Sequence, residues 1–261
     1  MIKEFIPPVL LKPISRLFYG WSGNYSSWKI ASGKSTGYDT EIIIKKVKKS
    51  LLKVKNGEAV YERDSVIFDK VYYSFPLLSA LSLVALRNNT RLNVLDFGGS
   101  LGSSYYQNKN FFNDLEQFNW CVVEQEHFVK EGKSSFADQH LHFFYDVETC
   151  IKQHKINLLL LSSVIQYLEE PYLFIDNAID KKFEYIMIDR TPLLFKGDDR
   201  ITIQKVPKNI YEAKYPCWIL SEQKLLTHIL KYYDLVFDEK TDESINIKNA
   251  GFKAFLFKRK K

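Results

Sequence analysis

LNVLDFGGSLG, residues 92–102, is a short apolar run that meets one carboxylate and then a cluster of glycines. A run this short, bounded by turn residues, reads as a buried strand, and the glycines let the backbone turn sharply into a following helix. The pattern recurs downstream. WCVVE (120–124), LHFFYD (141–146), NLLLLS (157–162) and YIMID (185–189) are further apolar runs alternating with helical stretches. Their ends lie roughly 16 to 28 residues apart, enough for one crossover helix each, and their near-continuous hydrophobicity fits strands buried on both faces. This predicts an α/β fold: a doubly wound, mostly parallel, Rossmann-like sheet with right-handed crossovers. The chain closes with a helix at SEQKLLTHILKYY, then DLVFDE and GFKAFLFKR, which read as an antiparallel hairpin at the C-terminal edge.

Upstream, residues 1–90 read as a helical and loop cap that is not independent, and residues 91–261 as the α/β domain. Residues 18–38, FYGWSGNYSSWKIASGKSTGY, are rich in Gly, Ser and aromatics without sustained periodicity, so they are expected to form an ordered loop or flap. Asp39 then N-caps a helix that Asn56-Gly57 can stop, and a second helix follows at PLLSALSLVALR with Pro76 at a permitted early position.

The 261 residues are 46% hydrophobic and 26% charged, which excludes a largely disordered or collagen-like chain. No apolar run approaches the roughly 20 residues of a membrane-spanning helix. The N-terminus lacks a signal-peptide pattern, so a cytoplasmic protein is expected. The net charge of +6 is concentrated in KKVKKSLLKVK (45–55) and KRKK (258–261). In the first of these, Ile43, Ile44, Val47, Leu51 and Val54 fall at helical spacing and leave the lysines facing solvent or, at most, a peripheral membrane contact. No nucleic-acid partner is expected. Cys121, Cys150 and Cys217 form no C-x-x-C, and His140 and His142 have no evident third ligand, so neither disulfide nor metal is expected.

Chemistry in an open α/β sheet sits beyond the carboxyl ends of the strands. After the first strand the dinucleotide fingerprint G-x-G-x-x-G fails in every register, and Gly33-Lys34-Ser35-Thr36 lacks the upstream glycine and strand of a phosphate loop. The form D-x-G-x-G-x-G, typical of S-adenosylmethionine sites, fits at Asp96, Gly98 and Gly102, with Ser100 in place of the middle glycine and Gly99 between. The same residues satisfy G-x-S-x-G, the elbow of a serine hydrolase, with Asp189 and His228 in the right order for a triad. No oxyanion-hole motif precedes it. Glu124, ending the second strand, is placed to accept from ribose hydroxyls, with a surface ion pair as the bland alternative. Asp146 closes the third strand, either toward an adenine or as a helix cap. Ser162-Ser163-Val164-Ile165-Gln166-Tyr167, after the fourth strand, lies where a floor beneath the methionine part of such a cofactor would be. Asp189 and Arg190 follow the fifth strand beside the same cleft, unless they simply pair with each other.

VLDFGGSLGSSYYQN, VVEQ, SSVIQYLEEP, IDRTP and YPCWILS, with GNYSSW, STGYD and YERDSVIFDK upstream, closely resemble a family of S-adenosylmethionine-dependent methyltransferases associated with bacterial surface-polysaccharide (O-antigen or capsule) biosynthesis genes. The likeness covers nearly the whole chain. It implies the class I methyltransferase fold with seven strands, S-adenosylmethionine as cofactor, and S-adenosylhomocysteine as product. Gln125 would join Glu124 on the cofactor side, and a catalytically silent cofactor-binding protein is the other outcome. The acceptor would be a sugar or saccharide-linked small molecule, methylated at oxygen, nitrogen or carbon. For a hydroxyl nucleophile Asp189 is the candidate base. Tyr25, Trp28, Tyr38, Tyr215 and Trp218 are candidates for an aromatic acceptor wall, with Arg190, Arg63 or Lys34 for an anionic group. A monomer or a homodimer is compatible with all of this.

Overall fold

The computed structural model describes residues 20–36, 40–63, 65–206 and 213–261. Five strands, β4 (Arg91–Phe97), β5 (Gln117–Val123), β6 (Leu141–Phe144), β7 (Leu158–Ser162) and β8 (Tyr185–Leu194), form the expected parallel core in the order β6-β5-β4-β7-β8. The C-terminal hairpin, β11 (Tyr233–Lys240) and β12 (Ala250–Arg259), joins antiparallel to β8. Strand order reverses at β4, since the chain moves outward through β5 and β6 and then returns to the other side of β4 as β7. A crevice opens at such a switch point.

The alternation of side chains along each strand divides the core into two layers. Val94, Trp120, Val122, Leu158, Leu160 and Met187 face helices α2 (Thr40–Lys55), α3 (Phe75–Arg87), α4 (Ser103–Asn108) and α5 (Glu126–Ser135). Leu95, Cys121, Val123, Leu159, Leu161 and Ile188 face α6 (Val147–Gln153), α7 (Pro171–Asp180) and α8 (Glu222–Ile229). Ile43, Val47 and Leu51 of α2 and Leu77, Leu81 and Val84 of α3 are buried in the first layer, which fixes the upstream helices to the sheet.

The aromatic segment expected to be a loop or flap is instead regular. Gly20–Tyr25 is strand β1 and Trp28–Gly33 is helix α1, capped by the Ser27 hydroxyl. Strand β1 pairs antiparallel with β9 (Arg200–Val206), which pairs with β10 (Ala213–Ser221), and β10 meets β8 in parallel at Leu220 and Ser221. Three strands thus extend the seven-stranded core. Gly20 and Gly23 adopt positive φ, and the middle of β1 is exposed, so no apolar alternation marked it. Tyr38 and Asp39 lie outside the described residues. No helix among the described residues is long and apolar enough to cross a membrane.

Candidate active site

The glycine loop is built by its backbone. Gly98, Ser100 and Gly102 have φ of 73°, 55° and 93°, so all three glycine positions of the D-x-G-x-G-x-G pattern are left-handed, the one occupied by serine included. The Gly98 amide bonds the Val123 carbonyl at 2.9 Å, which ties the loop to β5. Gly99 is needed for a different reason: a Cβ there would stand 2.5 Å from the Asp96 carboxylate. Asp96 is 1% exposed and accepts from Trp120 Nε1 at 2.9 Å. Burial pushes its carboxyl up to about 7, against the opposing pull of the Trp120 hydrogen bond and of Arg190.

Glu124 closes β5 and turns back to the loop, bonding the amides of Gln125 (2.7 Å) and Ser100. Burial raises its pKa, and those two amides oppose the rise. On the other flank, Ser162 Oγ donates to Asp189 Oδ2 at 2.9 Å and accepts from Arg190 Nε and Nη2 at 3.3 Å. Ser74, the N-cap of α3, donates to Asp189 Oδ1 at 3.3 Å. Asp189 is fully buried, and burial raises its pKa while Arg190 and the two hydroxyls lower it.

A cavity of about 930 Å³ covers this loop, within the ~300–1,000 Å³ usual for small-molecule sites. Asp96, Gly98, Gly99, Ser100, Glu124, Gln125, Ser162 and Ser163 line it, as do Trp28, Arg63, Arg190 and Tyr215 from the expected acceptor side. Gly102 stands behind it as the left-handed cap of α4, its Cα side pressed against Leu141. Tyr25 and Trp218 are not in its wall. Tyr25 lies under the Lys34 ammonium, and Trp218 stacks on Trp28 from behind at 6.0 Å. Asp189 borders a second cavity of about 860 Å³, which shares Arg63, Ser104, Ser162, Arg190 and Glu243 with the first.

Asp146 caps α6, accepting from the amide and hydroxyl of Thr149 at 2.7 and 2.9 Å, and it too is absent from the cavity wall. Tyr145, one residue earlier, is there instead. Asp146→Ala is therefore expected to lower the melting temperature by a few degrees through the lost cap and to leave nucleoside binding unchanged, as read by calorimetry. Val164 and Tyr167 of the expected floor line the cavity as well, together with Trp21, Glu62 and Gln204, which no motif in the sequence marks. Tyr167 donates to Gln204 at 2.8 Å, and its ring meets Tyr215 edge-on.

The hydrolase triad is not assembled. His228 Nε2 pairs with Asp176 at 2.6 Å between α7 and α8, outside both cavities, while Asp189 serves Ser162 and Ser74. Among the described residues no group of three or more His, Cys, Asp or Glu could hold a metal ion.

No family model matches the chain, and no curated protein matches it. Solved structures do. The N-terminal domain of EvdMO1, crystallised in the presence of S-adenosylhomocysteine and D-fucose, matches with a TM-score of 0.50 at 11% identity, covering 85% of this chain and 98% of that one. The chain has a Rossmann-like methyltransferase fold. Two other neighbours are the 1,6-didemethyltoxoflavin-N1-methyltransferase of Burkholderia thailandensis (TM-score 0.44, 9% identity, 86% of this chain and 92% of that one) and the magnesium protoporphyrin IX methyltransferase of Synechocystis (0.46, 11%, 82% and 84%). Against this methyltransferase fold, the cavity lies at the switch point beside β4.

Proposed function

We propose that this chain is an S-adenosylmethionine-dependent methyltransferase of a small-molecule acceptor, with S-adenosylhomocysteine as product. The observation that carries the reading is the loop at the switch point, left-handed at Gly98, Ser100 and Gly102 and bridged by Glu124 through the Ser100 amide. It offers a backbone floor beside a partly buried carboxylate, the combination a nucleoside with an amino-acid tail requires. The fit extends to the packing, since a Cβ at Gly98 would intrude on Val164, another wall residue, at 2.5 Å. In this reading Glu124 and Gln125 hold the ribose, Tyr145 packs on the adenine, and Ser163 and the loop amides hold the methionine portion.

The bound cofactor supplies an electrophilic methyl group on a sulfonium, which becomes a neutral thioether on transfer. The protein's part is alignment and exclusion of water. Trp28 and Tyr215 form the apolar acceptor wall, and Arg63 and Arg190 orient polar groups. A saccharide or saccharide-linked acceptor is the finer reading, supported by the sequence resemblance and by the D-fucose present with the EvdMO1 domain. A sugar hydroxyl needs a base. Asp189 fills that role through Ser162: the serine passes its proton to the carboxylate while taking one from the acceptor, along the 2.9 Å hydrogen bond already formed. Its burial makes Asp189 a stronger base than an exposed aspartate.

The test is a thermal-shift series with S-adenosylmethionine, S-adenosylhomocysteine, NAD and ATP. Ligand at a hundred times its Kd stabilises by about 2.7 kcal/mol, and each kcal/mol moves a protein of this size by roughly 2–4 °C. A rise of that order with the first two ligands alone is expected. No rise with either sinks the reading and brings serine labelling of Ser100 by an organophosphonate to the front.

A further inference from the structure

The second cavity meets the first at a throat where Arg63, Ser104, Ser162, Arg190 and Glu243 line both. Beyond that throat its wall comes from the small hairpin of β2 (Tyr61–Arg63) and β3 (Val66–Phe68), from the start of α3, and from the link between β11 and β12. No residue of the glycine loop reaches it. Asp189 lines this cavity and not the first, whereas Glu124, Gln125 and Ser163 line the first and not the second. An acceptor hydroxyl held at Ser162, with its proton bound for Asp189, therefore stands at the throat. Whatever is attached to that hydroxyl has the second cavity to occupy, and about 860 Å³ is of the order of a whole small-molecule site.

The wall is aromatic, electrically balanced and short of hydrogen-bond partners. Phe75, the first residue of α3, and Tyr72 line it while 70% and 46% exposed. Phe68 meets the Tyr72 ring edge-on at 5.5 Å, and the Gln107 amide ties these rings to α4 by donating to Tyr61 Oη at 3.1 Å and to the Tyr72 carbonyl. Rings left in water beside a cavity offer contact to a ligand with apolar faces. Arg63 is matched by Glu243 at 3.4 Å and Arg190 by Asp189 at 3.5 Å, while Lys70 and Lys240 are balanced by Glu239 and Asp242. No surplus of positive charge is left to hold a diphosphate. Glu243 Oε2 and Thr241 Oγ1 are buried without a hydrogen-bond partner among the described residues. Buried polar atoms are nearly always paired, and a carboxylate oxygen can be paired only by a donor.

We propose that the second cavity binds the neighbouring units of a neutral oligosaccharide whose methylated sugar sits at the throat, so that the acceptor is a chain of two or more sugars. The proposal deepens the methyltransferase reading and rests on it. A sugar ring presents C–H faces to Phe75 and Tyr72, and its hydroxyls donate to Glu243 and either donate to or accept from Thr241. A single sugar would leave these groups unused. A nucleotide sugar would bring two phosphates to a wall whose charges already cancel.

The test applies the full chain, saturated with S-adenosylhomocysteine, to an array of immobilised neutral glycans running from single sugars to tetrasaccharides, with UDP- and GDP-sugars as soluble competitors. Capture of glycans of two or more units is expected, with their constituent single sugars held at least about tenfold more weakly and no displacement by the nucleotide sugars. Phe75→Ala should lower that capture by about tenfold, and calorimetry with S-adenosylhomocysteine on the same variant reads the cofactor cavity, which Phe75 does not line. Should Phe75→Ala not fold, Tyr72→Ala carries the same expectation. No capture of any glycan, equal capture of single sugars, displacement by a nucleotide sugar, or capture unmoved in the folded variant each overturns the proposal. So does a loss of glycan and cofactor binding in equal measure, which would mean that the ring only props the fold. A wild type that does not bind S-adenosylhomocysteine overturns the methyltransferase reading instead, and calorimetry without glycan tells that failure from the others.

Discussion

Gly98→Ala is expected to weaken S-adenosylhomocysteine binding by more than about tenfold while the sheet stays folded. Two effects add at this position, and they are unequal. The backbone at φ 73° costs an L-residue about 1–2 kcal/mol, a strain that Ser100, at φ 55°, already bears in the same loop. Strain alone is therefore tolerable. The new methyl is not, because it would lie 2.5 Å from Val164 Cγ2 and 3.2 Å from Val164 Cβ. Val164 cannot simply yield, since it packs against the core layer beneath α7. Nor can Gly98 retreat without breaking its amide bond to Val123. What gives way is the position of the loop or of Val164, and both are cavity wall. Calorimetric titration reads the effect, and circular dichroism checks the fold. An unchanged Kd in a folded variant would show that this loop is not the floor of the cofactor site.

The legible part of the fold is the part buried on both faces. Strands β4 to β8 carry unbroken apolar runs because helices cover both sides of them, and such runs need no partner to be noticed. β1, β9 and β10 gave no comparable signal. Gly20 of β1 pairs with Lys205 of β9, a partner nearly the whole domain away, and ITIQKV in β9 is no more apolar than many surface segments. Their pairing is decided by tertiary packing. The site divides the same way. The glycine loop was readable because left-handed backbone leaves a local mark in the residues that tolerate it, and Glu124 because it ends a recognisable strand. At Asp146 the competition between ligand and helix goes to the helix, as the Thr149 amide and hydroxyl take its oxygens, and the place on the wall passes to Tyr145. Glu62 and Gln204 reach the cavity from elements whose placement follows only once the sheet is assembled. Each carried a weak trace at best: Glu62 lies inside a stretch of family resemblance without any spacing that marks it as a ligand.

Asp96→Asn should change stability and binding in opposite directions. The Asp96 carboxyl titrates at about 7 in the folded chain, raised from 3.8 chiefly by burial. Well below pH 4 the group is largely protonated in both states and costs little. Between about 4 and 7 the unfolded chain gives up the proton first, so it binds fewer protons than the native state and stability falls as pH rises. Above about 7 the full cost is present, at most about 4 kcal/mol for a shift of some three pH units. Asparagine removes the charge and still accepts from Trp120 Nε1. The variant should therefore melt higher than the wild type at pH 8, with an advantage that shrinks toward pH 4. Its affinity for S-adenosylhomocysteine should be lower at pH 8, and it should lack the wild type's gain in affinity as pH rises through about 7, where Asp96 ionises beside the loop assigned to the ligand's charged amino-acid end. Melting curves and calorimetry across pH 5 to 8.5, on the order of one point per half unit, separate the two effects. A wild-type affinity flat across that range would detach the ionisation of Asp96 from cofactor binding. A stability difference that did not depend on pH would mean that the raised carboxyl is not what the substitution relieves. The combination expected here is that of a residue kept against the interest of the empty fold: the glycine loop carries a buried carboxylate whose cost Trp120 and Arg190 offset only in part.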